Sequence, residues 1–552
     1  MQTQATKEPQ FALPELSSDV SELQSMIVDL HKQMDEISGS YECENKLLRE
    51  RVKYLQQQLY CRKSEKLSLS DDNYSPSFLF GDLPEESKEE PEPLVEEITI
   101  PSHKRKKRGR KPLPESLPRV EVVHDLPEEE KRCGCGCEKS RIGEEVSEQL
   151  EMQPARFWVV RHIRYKYACK NCEGLDGRKG EKSVTIAPPP VQLIPKSIAT
   201  PSLLAHILVS KYSDSLPFYR QEQQFSRYGF KLSRTNMCNW TQEVSRKSQP
   251  LVELLREYLL SSPFIQIDET PFQVLREPGR SFESKSYMWL FRGGPPGKEV
   301  VLYRYDPGRS GKVAADFLGD YRGFVQTDGY SGYNFLDRNP GIVHVGCWAH
   351  VRRKFFDVVK VSGKGKVKGK GGMGKAGEAL RTIRALYAIE KDARNRELCP
   401  EEVYRERQEK AKPILDEFEI WVKETSLKVP PKSLLGKALF YTLAQWPRLV
   451  RYLEDGIINI DNNWIENAVR PFAVGRKNWL FSDRPVGAAA SATMYSIIET
   501  AKSNNLEPYH YLCYLFDRLP YAHTTEEFRK LLPQNLTPEI LTDHYSKMFR
   551  WA

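Results

Sequence analysis

FIQID (264–268), SYMWLFRG (286–293) and EVVLYRY (299–305) are three runs rich in apolar, β-branched and aromatic residues, and each reads as a strand. SGKVAADFLGDY (310–321) changes to a helical spacing, and GFVQTDG (323–329) returns to a strand that stops at a Gly turn. IVHVGCWAH (342–350) is a further strand, leading into VRRKFF. Three strands, a helix, a strand, a short helical connection and a last strand call for a mixed five-stranded sheet packed by helices. Two acids fall at informative places: Asp268 is read as ending the first strand and Asp328 as ending the fourth. Carboxylates at the ends of buried strands are costly unless they are paired or bind a cation. Converging on one edge, they make a hard-oxygen site suited to Mg²⁺.

That order is the order of the ribonuclease H-like fold, and a third carboxylate would complete a two-metal site with ions about 3.5–4 Å apart. DNNWIENAVRPFAVGRKNWLF (461–481) offers Glu466. A helix starting near Asp461 or Asn462 puts Asn463, Glu466, Asn467 and Arg470 on one face by steps of three and four, with Arg476, Lys477 and Trp479 following. An acid at the mouth of a basic, aromatic segment opposes phosphate unless a divalent cation lies between them. The expected catalytic acids and Mg²⁺ ligands are therefore Asp268, Asp328 and Glu466, with Mn²⁺ as an alternative ion. Asn463, Arg470, Arg476, Lys477 and Trp479 are the expected DNA contacts. His350, Arg352 and Arg353 are added as contacts to phosphate or to the acids, with core packing as the alternative, and Cys347 is read as buried strand filler. Taken singly, each acid could be a cap or turn residue; the ordered set is what points to chemistry.

The remainder of the 552 residues is modular. Leu23, Ile27, Leu30, Met34, Ile37 and Tyr41 alternate in steps of four and three, and Leu48 and Leu55 keep the phase. This is coiled-coil spacing and predicts self-association, the alternative being one amphipathic helix packed on its own protein. The formal charge of +8 conceals an acidic run, LPEESKEEPEPLVEE (83–97), and a basic one, HKRKKRGRK (103–111). Residues 69–118 carry few aromatics and read as a linker. Within it, Arg108, Arg110 and Lys111 of RGRKP form a narrow basic element that suits an A·T-rich minor groove; a solvated basic run is the plainer reading. Of the eleven cysteines, Cys133, Cys135, Cys137, Cys169 and Cys172 crowd two turns, which suits structural Zn²⁺ in a reducing cytoplasm better than disulfides. Thiols without metal, including a redox sensor, are the alternative. From Thr200 to Ser245, Pro217 starts one helix, Gly229 turns the chain, and Ser233 caps a second helix carrying Arg234 and Asn236. The outline is helix-turn-helix-like, with the second helix suited to a major groove. The first residues lack a signal pattern, and no stretch approaches 18 uninterrupted apolar residues, so no membrane is expected.

IDET, TDGYSGY, GCWAHVRRKFF and DNNWIENAVRPFAVGRKNWLF, in that order, resemble the signature blocks of the IS66-family DDE transposases. RKSEKL, RGRKPLP, YACKNC and LLAHILVSKYSDSLPFYRQEQ extend the likeness over roughly residues 20–545. The resemblance implies a DDE-type transposase of an insertion sequence, with Asp268, Asp328 and Glu466 as its catalytic acids. It further implies two Mg²⁺ ions per active site and a long helical insertion before Glu466. Double-stranded DNA, as terminal inverted repeats and target, is the implied partner; a homodimer through the coiled coil and companion proteins of the same element are expected, in the bacterial cytoplasm at the nucleoid. The chain departs from the family at Cys-x-Cys-x-Cys (133–137), where Cys-x-x-Cys is the pattern. The expected division is a coiled coil at 1–68, a linker at 69–118, a Cys-rich zinc-binding module at 119–190 and helix-turn-helix-like helices at 191–255. A ribonuclease H-like core follows at 256–500, with a helical insertion at about 356–455, then a small helical region at 501–552. A ribonuclease H-like nuclease, or a catalytically inactive DNA-binding regulator, is the alternative.

Overall fold

The structure is a computed structural model that describes residues 20–60, 119–127, 130–132, 137, 139–153, 156–168, 184–295, 297–361 and 374–548. Arg108, Arg110 and Lys111 of the basic element lie outside the described residues, as do Cys133, Cys135, Cys169 and Cys172 and positions 362–373 of the Lys/Gly-rich segment. In chain order the elements are α1 (Val20–Tyr60), β1 (Arg119–His124), β2 (Ser140–Gln153), β3 (Arg156–Ala168), β4 (Val184–Ile186), α2 (Pro201–Tyr212), α3 (Phe218–Arg227), α4 (Arg234–Lys247) and α5 (Gln249–Leu260). Then come β5 (Phe264–Val274), β6 (Lys285–Gly293), β7 (Val300–Asp306), α6 (Lys312–Leu318), β8 (Gly323–Gln326), β9 (Ile342–Val345) and α7 (Trp348–Val361). Last are α8 (Lys375–Asn395), α9 (Pro400–Glu406), α10 (Lys412–Leu427), α11 (Leu434–Leu449), α12 (Asn463–Trp479), β10 (Phe481–Ser482), α13 (Pro485–Ser503), α14 (Pro508–Arg518), α15 (Thr525–Lys530) and α16 (Pro538–Met548).

The chain forms two compact units. One takes residues 1–93, 351–385 and 416–444, and the elements of its described part are all helices. Its α1 presents Ile27, Leu30, Met34, Ile37, Tyr41, Leu48 and Leu55 at 48–66% exposure, an apolar stripe left open among the described residues.

The other unit takes residues 94–350, 386–415 and 445–552 and carries both sheets. In the first sheet β3 is central, with β1 parallel to it and β2 and β4 antiparallel. In the second the order is β7-β6-β5-β8-β9, with β6 antiparallel to β5 and β7, and β8 parallel to β5 and β9. The expected mixed sheet with helices is present, and the two-residue β10 adds to it by pairing parallel with the end of β5. Helix α13 seals the β7 edge with hydroxyls: the Tyr303 N–H donates to Ser496 Oγ at 2.8 Å and the Val301 N–H to Thr500 Oγ1 at 3.1 Å. Small residues make this approach possible, since Ala488, Ala492 and Ala501 of α13 are buried and unpaired strand edges otherwise invite aggregation.

Two local expectations are corrected. Asp268 does not end its strand; it lies inside β5, opposite Leu290, and β5 runs on to Val274. The strand ends early only on its β8 side, where pairing covers Phe264 to Gln266, and β10 resumes at Gln273. Pro271 sits in the interval where the described residues place no strand on that side, which is where a strand tolerates proline. Cys347 is likewise not strand filler, because β9 stops at Val345 and Cys347 occupies the turn before α7.

Candidate active site

The register of the central parallel pair decides where the acids go. Gln266 of β5 stands opposite Gln326 of β8, and side chains two residues apart share a strand face. Asp268 and Asp328 each follow a paired glutamine by two residues, so both fall on one side of the sheet, beside the point where β8 ends. The glutamines are fully buried and bonded to one another, Gln266 Nε2 donating to Gln326 Oε1 at 2.8 Å. Gln266 Nε2 also reaches the Asp461 carbonyl at 3.2 Å, and Gln326 Nε2 reaches those of Gly346 at 3.1 Å and Asn459 at 2.7 Å. This amide pair therefore fastens the two acid-bearing strands to the turn ahead of α7 and to the loop that launches α12.

Helix α12 runs beside the interval of β5 that lacks a second neighbouring strand. At its start, Asn462 Nδ2 donates to the Ile267 carbonyl at 3.3 Å and the Asn462 N–H meets Cys347 Sγ at 3.2 Å. Further along, Phe472 packs edge-on against Phe272, and Arg476 donates to Thr270 Oγ1 at 3.3 Å. Glu466 stands one turn into the helix, its N–H bonded to the Asn462 carbonyl at 3.1 Å, with Oε1 3.8 Å from His350 Nε2.

The acids share one electrostatic field. Burial, followed by the charges of Glu269, Asp328 and Glu466, pushes the Asp268 carboxyl well above the ordinary carboxylate range. One Asp268 oxygen accepts the Glu269 N–H at 2.9 Å, and one Asp328 oxygen accepts the Tyr330 N–H at 2.9 Å. Glu269 adds a fourth carboxylate, its side chain 2% exposed, raised by burial and by Asp328, and held by Arg309 at 2.7 Å and by the Tyr333 hydroxyl. A half-buried set of repelling carboxylates has the chemistry of a divalent-cation site. Among the described residues, the group of ligand atoms lying mutually within 4.8 Å is Cys347, His350 and Glu466, not the three acids. Carboxylates that hold two ions about 4 Å apart need not meet around one point.

The other expected contacts are distributed. Asn463 donates to Asp461 Oδ2 at 2.6 Å, Arg470 lies one turn beyond Glu466 on α12, and Lys477 is exposed. Burial lowers the Arg476 pKa, and Trp479 is built into the aromatic packing against Phe272 and Phe472. Arg352 and Arg353 lie half-buried on α7. Arg234 and Asn236 are exposed in the first turn of α4, whose cap is Ser233 Oγ accepting the Asn236 N–H at 3.3 Å. Of the five clustered cysteines only Cys137 is described, half-buried beside β2.

Comparison with known proteins gives this geometry a family. The model of the Transposase IS66 family matches residues 196–490, which contain all three acids. The chain belongs to the IS66 transposase family. Three further family models match along it: the zinc-finger binding domain of transposase IS66 at 130–173, Transposase C of IS166 homeodomain at 47–122 and the IS66 C-terminal element at 496–534. Relatives from Sinorhizobium fredii (strain NBRC 101917 / NGR234) include "Uncharacterized protein y4qI", 33% identical over 89% of this chain and 89% of its own length. "Uncharacterized protein y4jD" of the same organism is 31% identical over 94% of this chain and 97% of its own. No solved structure matches the chain.

In this IS66-family chain, sequence reasoning passed over the groups that surround the acids: Gln266, Gln326 and Asn462, which join the segments carrying them, and the Glu269–Arg309 pair. One signal was in plain sight. Gln-x-Asp occurs in IQID and again in VQTD, and a repeated polar residue two ahead of each acid marks a buried pair on the same face.

Proposed function

We propose that this protein is a DDE-type transposase that binds the terminal inverted repeats of its insertion sequence and cleaves and transfers strands there, with Asp268, Asp328 and Glu466 as the catalytic acids. The observation that carries the reading is the shared field. Asp268 is raised by burial and by neighbouring Glu269, and then by Asp328 and Glu466, although the last two lie 60 (328 − 268) and 198 (466 − 268) residues further along the chain. The order β7-β6-β5-β8-β9, with three antiparallel strands and two parallel ones, supports a ribonuclease H-like core spanning about 256–500.

Two Mg²⁺ ions, or Mn²⁺, supply activation of the attacking oxygen and neutralisation of the leaving one when bound. The chain's own groups do the positioning. The glutamine pair and Asn462 fix the backbone segments that carry the carboxylates, and Arg470, Arg476 and Lys477 set positive charge along α12 for the DNA backbone. Positioning and charge neutralisation are most of what in-line displacement at phosphorus requires, so no side-chain nucleophile is needed. The exposed first turn of α4, with Arg234 and Asn236, suits a major groove; RGRKP suits a minor groove. Four of the five clustered cysteines would hold structural Zn²⁺. The exposed stripe of α1 is the dimerising surface, which brings two element ends together.

The test is purified full-length protein with Mg²⁺ and a precleaved terminal inverted repeat. A joined product is expected from wild type, with loss on the order of 10³-fold or more in Asp268→Asn, Asp328→Asn and Glu466→Gln. Cleavage without joining would identify a nuclease, and binding without either reaction a regulator.

A further inference from the structure

Cys347 and His350 form a Cys-x-x-His turn from the end of β9 into the first turn of α7, and both side chains reach Glu466. The Cys347 sulfur, an imidazole nitrogen of His350 and a carboxylate oxygen of Glu466 lie within 4.8 Å of one another, the His350–Glu466 separation being 3.8 Å. Bonds of about 2.0–2.3 Å to a tetrahedral ion put ligand atoms roughly 3.3–3.8 Å apart. Closure around such an ion therefore needs movements of about 1 Å or less. We infer that Cys347, His350 and Glu466 form a second metal site, for one borderline-soft divalent cation such as Zn²⁺, that shares Glu466 with the acid cluster.

The donor set separates this site from the hard-oxygen one. Mg²⁺ takes oxygen ligands and keeps its waters, whereas thiolate and imidazole select Zn²⁺ or Co²⁺. The sulfur is already aimed, because it accepts the Asn462 N–H at 3.2 Å, and Asn462 is pinned in turn to Ile267. Asn462 is fully buried, and its Oδ1 has no hydrogen-bond partner among the described residues. It is an acceptor suited to a water on the bound ion, as the outer partners of metal sites commonly are. Glu466 has two oxygens and can face both sites, and that coupling rests on the reading of Asp268, Asp328 and Glu466 as one cluster.

Full-length protein stripped of metal and titrated with Co²⁺ tests the site through stoichiometry and the thiolate-to-cobalt charge-transfer absorption. The cysteines at 133–172 contribute the same background to every variant. Wild type should bind one more Co²⁺ per chain than Cys347→Ser, His350→Gln or Glu466→Gln, and Cys347→Ser should lose the corresponding thiolate absorption. Asp268→Asn should keep the additional ion. His350→Gln, at a partly exposed position, guards against loss of the fold in Cys347→Ser, and circular dichroism reports folding for each. Equal Co²⁺ stoichiometry and equal spectra in wild type, Cys347→Ser and His350→Gln would overturn the inference. Because the readout is binding, failure of the strand-transfer assay leaves this result intact, and the reverse holds too.

Discussion

The acid cluster and helix α1 depart from ordinary burial in opposite directions. Around β5, carboxylates are buried: Asp268 is pushed well above the usual range, and the Glu269 side chain is 2% exposed. Along α1, apolar side chains are exposed, with Met34 at 66% and Tyr41 at 64%. Under the proposed function each departure has a remedy: a cation relieves the crowded acids, and a second copy covers the apolar stripe at heptad spacing. The two regions also differ in how firmly they are held. The strands and helix that carry the acids are tied together by buried hydrogen bonds from Gln266, Gln326 and Asn462, whereas the α1 stripe is specified only by its own periodicity.

The largest effect should come from α1. Leu30→Glu combined with Ile37→Glu places charge in the seam, and the dimer should weaken by at least about 10³-fold, roughly 4 kcal/mol. Sedimentation equilibrium reads this directly, and an unchanged mass distribution would mean that the exposed stripe has another use. Next, Gln326→Leu removes the donor to the Gly346 and Asn459 carbonyls and the acceptor for Gln266 Nε2. A loss of about 3 kcal/mol is expected in urea denaturation, because buried partners are left unsatisfied. A loss below about 1 kcal/mol would show that the amide pair is not what fastens the acid-bearing strands. The smallest effect should come from the cation itself. Mg²⁺ well above its Kd should stabilise wild type by about 2 kcal/mol. Asp268→Asn should melt higher than wild type in chelator, having lost one repelled carboxylate, and should gain little from Mg²⁺. Calorimetry with and without Mg²⁺ decides this, and an equal Mg²⁺ gain in both proteins would detach Asp268 from the ion.

Much of this was legible beforehand. The strand runs at 264–268, 286–293 and 299–305 all lie on strands of the sheet, Ser233 caps α4, and Asn462 precedes α12. These are local matters of period and capping, and local sequence carries them. Asp268 was misplaced at a strand end because pairing on one side of β5 stops at Gln266 while pairing on the other continues, a difference between neighbours that no single run of residues contains. Cys347 was read as filler for a related reason. Its significance lies in proximity to Glu466, 119 residues later (466 − 347), across a fold rather than along a segment.

By itself the sequence determined the kinds of element in the sheet unit and the family, and it singled out the three acids proposed as catalytic, because hydrophobic period, turn residues and long mixed motifs are written locally. Only the tertiary structure decided how those acids are held: the Gln266–Gln326 register, the α12 helix lying along the open interval of β5, and the meeting of Cys347 and His350 with Glu466. Those depend on which distant backbones come within hydrogen-bonding reach, and that is set by packing rather than by any one stretch of the chain.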